Sequence, residues 1–140
     1  MAKRIVLTSD HAGFRLKEFL KKDLIEKGYV VVDDNPVLEE GDDYPDRVFS
    51  AAPKVKHDQG IFVCGTGIGM CIAANKEKGI IAADCSMPKE AHLARAHNNA
   101  NVLCLGARLL TRDQAKRIMY TFLKTSFEGG RHARRVEKLA

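Results

Sequence analysis

A doubly wound α/β domain, with a mostly parallel five-stranded sheet and helices on both faces, is predicted by three features of this sequence. Five short apolar runs, Arg4 to Ser9, Tyr29 to Val32, Gly60 to Val63, Ile80 to Ala83 and Val102 to Leu105, lack the polar alternation of a half-exposed ribbon. Helical periodicities separate them, which requires right-handed crossovers between parallel strands. The glycine-rich segment CGTGIG, Cys64 to Gly69, joins an apolar run to a helix, as such Rossmann-like three-layer folds do along their ligand-binding edge.

The elements follow in order. Phe14 to Lys27 carries Leu16, Phe19, Leu20 and Leu24 at helical spacing and closes on Gly28, where a left-handed cap is expected. Asp33 to Pro45 reads as an irregular acidic loop. Asp46 to Lys56 is a weaker helix, interrupted by Pro53. A helix is expected after the glycine loop and another before Val102. Thr111 and Gln114 form a capping box for a helix with Ala115, Ile118, Met119, Phe122 and Leu123 on one face. Gly129 and Gly130 then break the chain before a short basic helix at about 128–140.

The 140 residues are expected to form one domain. No apolar run approaches the roughly 20 residues of a membrane span, and the apolar stretch near the start ends at Leu7, too short for a secretion signal. A cytoplasmic location is the expectation. The four cysteines, at 64, 71, 85 and 104, contain no C-x-x-C pair, which argues against a disulfide scaffold or a structural zinc site. Cys85 and Cys104 sit in apolar runs, where cysteine packs as a small hydrophobe, and Cys71 reads as a helix-packing position. A net charge of +5 suits an anionic partner.

Chemistry concentrates on the glycine loop. Gly65, Gly67 and Gly69 let backbone N–H groups turn inward, and the helix that follows adds its positive end, so the loop suits an anion. Cys64 at its lip is a candidate base, because such amides favour an anionic sulfur and an adjacent oxyanion alike. Asp10 and His11 follow the first strand and so project onto the same edge of the sheet. His97, Asn98 and Arg108 flank the last strand. Arg131 and Arg135 lie four apart, one face of a helix, where guanidinium forks can grip a phosphate.

The motifs SDHAGF at 9–14, CGTGIG at 64–69, IAANK at 72–76, HNNANV at 97–102 and EGGRH at 128–132 together closely resemble type B ribose-5-phosphate isomerase, in a group that also contains galactose-6-phosphate isomerase. The resemblance covers nearly the whole chain. It implies an aldose–ketose isomerase interconverting ribose 5-phosphate and ribulose 5-phosphate through an enediolate. Cys64 resembles the family's proton-transferring base, with Thr66 serving the substrate oxygens and the amides of Gly65, Thr66, Gly67, Ile68 and Gly69 holding negative charge. His97 resembles the ring-opening acid, assisted by Asp10. His11, Arg131 and Arg135 look like the phosphate grip, and Asn98 and Arg108 match positions that touch the sugar phosphate.

One branch of the family places a glutamate base in the glycine loop; Met70 stands there in this chain, which aligns it with the cysteine branch. No metal or other cofactor is expected. The resemblance also implies a homodimer or tetramer whose active site lies at the subunit interface, with the His97 and arginine groups reaching across it. The segment DDNPVLEEGDD, Asp33 to Asp43, departs from the family's usual glycine-containing turn and leaves sugar length open, so hexose 6-phosphates such as allose or galactose 6-phosphate are the alternative substrates. A dinucleotide-binding module fails on spacing, since the loop reads G-x-G-x-G with Met70 where a small residue is needed. Nucleic-acid binding through RHARR lacks aromatic stacking positions, and no membrane partner is expected.

Overall fold

Strand β1 (Arg4–Ser9) begins the fold in a computed structural model that describes residues 4–140. Met1 to Lys3, which open the segment read above as too short for a secretion signal, lie outside the described residues. There follow α1 (Phe14–Glu26), β2 (Val30–Asp33), α2 (Tyr44–Val55), β3 (Gln59–Cys64), α3 (Ile68–Asn75), β4 (Ala82–Asp84), α4 (Pro88–Ala96), β5 (Val102–Gly106), α5 (Arg112–Lys124) and α6 (Arg131–Glu137). The five strands form one parallel sheet in the order β2-β1-β3-β5-β4. Val6 lies opposite Val32 and Gly60, and Cys64 opposite Gly106.

The direction of each crossover decides which face its helix covers. α2 and α3 carry the chain toward the β4 edge, whereas α1 and α4 carry it back toward β2, so right-handed connections put the two pairs on opposite faces. Strand side chains divide accordingly. Ile5, Leu7, Ile61, Val63, Leu103 and Leu105 pack with α1, α4 and α5, while Val6, Phe62, Cys64, Val102 and Cys104 pack with α2 and α3. Each of the valine, leucine, isoleucine and phenylalanine side chains among them, taken fully from water, stabilises the fold by about 1.5–3 kcal/mol before its ordering entropy is subtracted.

Local signals match the geometry. The N–H of Gly28, at φ 88°, donates to Ile25 O at 3.0 Å and that of Tyr29 to Leu24 O at 3.1 Å, the paired bonds of a Schellman cap on α1. Thr111 Oγ1 accepts from the Gln114 N–H at 3.1 Å, and Gln114 Oε1 from the Thr111 N–H at 2.9 Å, completing the capping box of α5. Three boundaries move. α6 spans only Arg131–Glu137 of the expected 128–140, because Gly129 and Gly130, both at positive φ, hold its start back. β4 begins at Ala82 rather than Ile80, because the Ile81 N–H is taken by the Asn101 side chain at 2.9 Å. α2 begins at Tyr44, with Pro45 in its first turn, where a missing N–H costs nothing, and it continues through Pro53 to Val55.

Candidate active site

The sheet order reverses between β1 and β3, since the chain leaves β1 toward one edge and later proceeds from β3 toward the other. In such sheets the crevice at the strands' carboxyl ends opens at this reversal. Here it is a cleft of about 200 Å³ lined by Asp10, His11, Tyr44, Cys64, Thr66 and Arg108, with Gly65 and Gly69 in its wall. Cys64 is only 4% exposed, but that remaining surface opens on the cleft. Its Sγ accepts the Gly67 N–H at 3.1 Å, so one amide of the loop is already aimed at the sulfur.

Gly67 is the N-cap of α3 at φ 81°, a conformation a side chain would resist, and an added Cβ would lie 2.2 Å from Asp84 Oδ1. Thr66 Oγ1 accepts the Ile68 N–H at 3.2 Å and closes the turn. Arg108 donates its backbone N–H to Gly65 O at 2.9 Å, and its guanidinium lies over Gly65, where a Cβ would come 2.8 Å from a terminal nitrogen. The Asp10 carboxylate accepts the Gly13 N–H at 3.0 Å, which fixes it at the start of α1.

His11 has a partner that sequence reasoning missed. Asp42 Oδ1 accepts the His11 backbone N–H at 2.8 Å and contacts Nδ1 at 2.9 Å, while Arg47 Nε donates to Asp42 Oδ2 at 2.7 Å. The hydrogen bond to Asp42 raises the imidazole pKa above its ordinary value, against a lowering by burial and with support from Asp10. Burial, the largest influence on the Asp42 carboxyl, pushes it up, but hydrogen bonds from Arg47 and His11 outweigh that and hold it below the usual carboxylate range. Tyr44 was also missed; its ring rests against Gly69 and forms a wall of the cleft.

The remaining predicted residues lie elsewhere. α4 runs back from the carboxyl edge, so His97 and Asn98 fall at the opposite end of the sheet, just before β5. The Glu128 N–H donates to Ala96 O at 2.9 Å and ties α6, with Arg131 and Arg135, to that same end. The His97 and His132 rings stack at 4.2 Å between centroids, 14° from parallel. Their Nε2 atoms lie 3.9 and 3.6 Å from the Glu128 carboxylate. Burial, then the charges of His97 and Arg131, push the His132 pKa down. One described chain therefore brings Asp10, His11, the glycine loop and Arg108 together and leaves His97, Asn98, Arg131 and Arg135 a strand length away.

Among the described residues, His97, Glu128 and His132 form the one group whose ligand atoms lie close enough, within 4.8 Å of one another, to hold a metal ion. Nearly parallel rings hold their in-plane lone pairs side by side, so one ring would have to turn before both nitrogens could meet an ion at about 2.0–2.1 Å. Cys85 and Cys104 are buried packing positions, whereas Cys71 is half-buried. Burial pushes Cys85 up to about 12 and Cys104 well above the ordinary thiol value, while a hydrogen bond from Cys104 draws Cys71 down to about 7.

A parallel doubly wound sheet with an amide-lined, cysteine-edged crevice at its switch point defines an α/β protein built to hold a small anionic substrate. The profile of the Ribose/Galactose Isomerase family matches residues 5–139. The chain belongs to that family. A probable ribose-5-phosphate isomerase B of Mycoplasma genitalium is 48% identical over 144 residues, spanning 99% of this chain and 95% of that protein. A ribose 5-phosphate isomerase crystal structure from Thermotoga maritima superposes with a TM-score of 0.95 at 47% identity, covering 99% of this chain and 98% of that one. The Mycoplasma genitalium enzyme, solved with bound ribulose-5-phosphate, superposes at 0.94 and 48% identity, covering 99% and 95% of the two chains. Among the described residues, no helix is long and apolar enough to cross a membrane.

Proposed function

We propose that this chain is a ribose-5-phosphate isomerase, interconverting ribose 5-phosphate and ribulose 5-phosphate in the cytoplasm, where its four free thiols stay reduced. The observation that carries the reading is the Cys64 sulfur, held by the Gly67 amide inside a cleft edged by Asp10, His11 and Arg108. Bound ribulose-5-phosphate in a relative of the same fold supports the substrate class.

The reaction needs three tasks. Ring opening moves a proton from the sugar hydroxyl to the ring oxygen, which we assign to His97 with Asp10 assisting. Cys64 then takes the proton from the carbon beside the carbonyl, and the electron pair passes onto the carbonyl oxygen as an enediolate. Amides of Gly65 to Gly69 stabilise that charge, and Thr66 serves the hydroxyls. Return of a proton to the former carbonyl carbon, together with passage of the adjacent hydroxyl's proton to the former carbonyl oxygen beside Thr66, gives the ketose. His11, Arg131 and Arg135 hold the phosphate, with Asn98 and Arg108 on the sugar phosphate.

Because His97, Asn98, Arg131 and Arg135 stand at the far end of the sheet from Cys64, this assignment requires a second copy of the chain to complete each site, with α6 crossing to the partner. Exposed Ile68 and Ile72, one turn apart on α3 beside the cleft, offer an apolar surface for that copy. The deciding assay follows ribulose 5-phosphate formed from ribose 5-phosphate in heavy water. Turnover with deuterium in the product is expected; no turnover, with activity on allose or galactose 6-phosphate instead, would move the assignment to hexose phosphates.

A further inference from the structure

The acidic loop between β2 and α2 has no task in the reaction just assigned, yet it is tied down like core. Lys17, wholly buried, sends Nζ to both oxygens of Asp33 at 2.8 and 3.0 Å and to Asn35 O at 2.8 Å. The Asn35 side chain then donates to Ser9 O at 2.6 Å and accepts the Ser9 N–H at 3.1 Å. The Asp34 N–H donates to Leu7 O at 2.9 Å. These bonds stitch the loop to the strand that delivers Asp10 and His11. At the loop's far end stands Asp42, its side chain 7% exposed.

Its two oxygens divide the labour. Oδ1 meets both the backbone N–H and Nδ1 of His11, which fixes the ring relative to its own main chain. Arg47, which also pairs with Glu39, holds Oδ2 and stops the carboxylate from rotating away. A hydrogen on Nδ1 is needed for that bond, so Nε2 is the atom left to face a ligand. Its charge state then matters. Without a second proton, Nε2 presents a lone pair to a phosphate oxygen and repels it; with one, it donates a charge-assisted hydrogen bond.

Resting on the isomerase reading, we propose that Asp42 is a positioning residue, acting through His11 to fix its imidazole and keep it cationic for the substrate phosphate. Other groups face the same ring. Asp10, on the same turn, adds attraction for the proton, and Arg108 after β5, Tyr44 of α2 and Cys64 of β3 are the other charged and titratable groups that line the cleft with it. Arg47 acts at one remove, by neutralising part of the Asp42 charge.

The test compares wild type with Asp42→Asn by NMR titration of the His11 ring, with inorganic phosphate as ligand, and by KM for ribose 5-phosphate from pH 6 to 8.5. In wild type His11 is expected to titrate above the ordinary 6.5, and the variant to bring it down. KM of the variant should rise about tenfold at pH 8.5 and about twofold or less at pH 6, with kcat nearly unchanged. In a His11→Gln background, Asp42→Asn should add nothing further to KM, which a merely structural role would not give. Wild-type His11 titrating at or below 6.5, coincident KM profiles, or an added effect in that background overturns the proposal. The wild-type titration needs no variant to fold. If ribose 5-phosphate is not a substrate, the isomerase reading fails while the phosphate titration still decides the role of Asp42.

Discussion

Gly67 donates its N–H to Cys64 Sγ at 3.1 Å across a turn of three residues, so the sulfur and one amide of the proposed anion hole are one local structure. Losing the sulfur should leave that hole intact. For Cys64→Ala, kcat is expected to fall about 10²–10⁴-fold with KM close to wild type. Steady-state kinetics on ribose 5-phosphate check this, and a kcat near wild type would remove the sulfur from the proton transfer.

The turn itself depends on the missing side chain at 67. Gly67→Ala combines a positive φ with a Cβ 2.2 Å from Asp84 Oδ1, so either the turn or Asp84 must shift. A loss of about 1–3 kcal/mol is expected in urea unfolding, together with a fall in kcat as the amide moves off the sulfur. Unchanged kcat would show that this amide is dispensable.

Placing His97 at the opposite end of the sheet from Cys64 gives a complementation test. Cys64→Ala and His97→Asn should each be nearly inactive. Unfolded together and refolded as an equal mixture, they should recover about a quarter of wild-type activity, because half the dimers are mixed and each mixed dimer holds one intact site. No recovery would mean that the two residues serve the same chain's site.

Acid stability should report on Asp23, which joins α1 to α5. Its carboxyl is drawn down to about 2, first by the hydrogen bond from Tyr120 at 2.5 Å, against burial, with help from Lys27 and Lys116. A depressed carboxyl stabilises the fold above its ordinary 3.8 and loses that contribution as pH falls toward 2. Asp23→Asn is therefore expected to cost about 1 kcal/mol at pH 7, after solvent screening, and almost nothing near pH 2. Equal urea midpoint shifts at the two pH values would contradict this.

Short, uniformly apolar runs were enough to find every strand, and helical periodicity the faces of α1 and α5, because burying those residues leaves one arrangement open to them. The exchange of β4 and β5 was not legible, since β4 contributes only three residues and its pairing is decided by how α3 and α4 pass over the sheet. Lys17 would be assigned to solvent by any local rule; only Asp33 and the Asn35 carbonyl explain it. The glycine loop, Asp10 and His11 could be found because they adjoin strand ends. Asp42, Arg47 and Tyr44 come from an acidic stretch with no pattern, and their meeting with His11 depends on tertiary folding.

The distance between the two ends of the sheet has a further consequence. On the two-copy reading proposed above, a Cys64 sulfur and a His97 imidazole at opposite ends of one sheet make catalysis subject to mass action. Dilution should silence the protein before it unfolds, and a substitution on the outer face of α3 could abolish turnover without disturbing a single reacting atom.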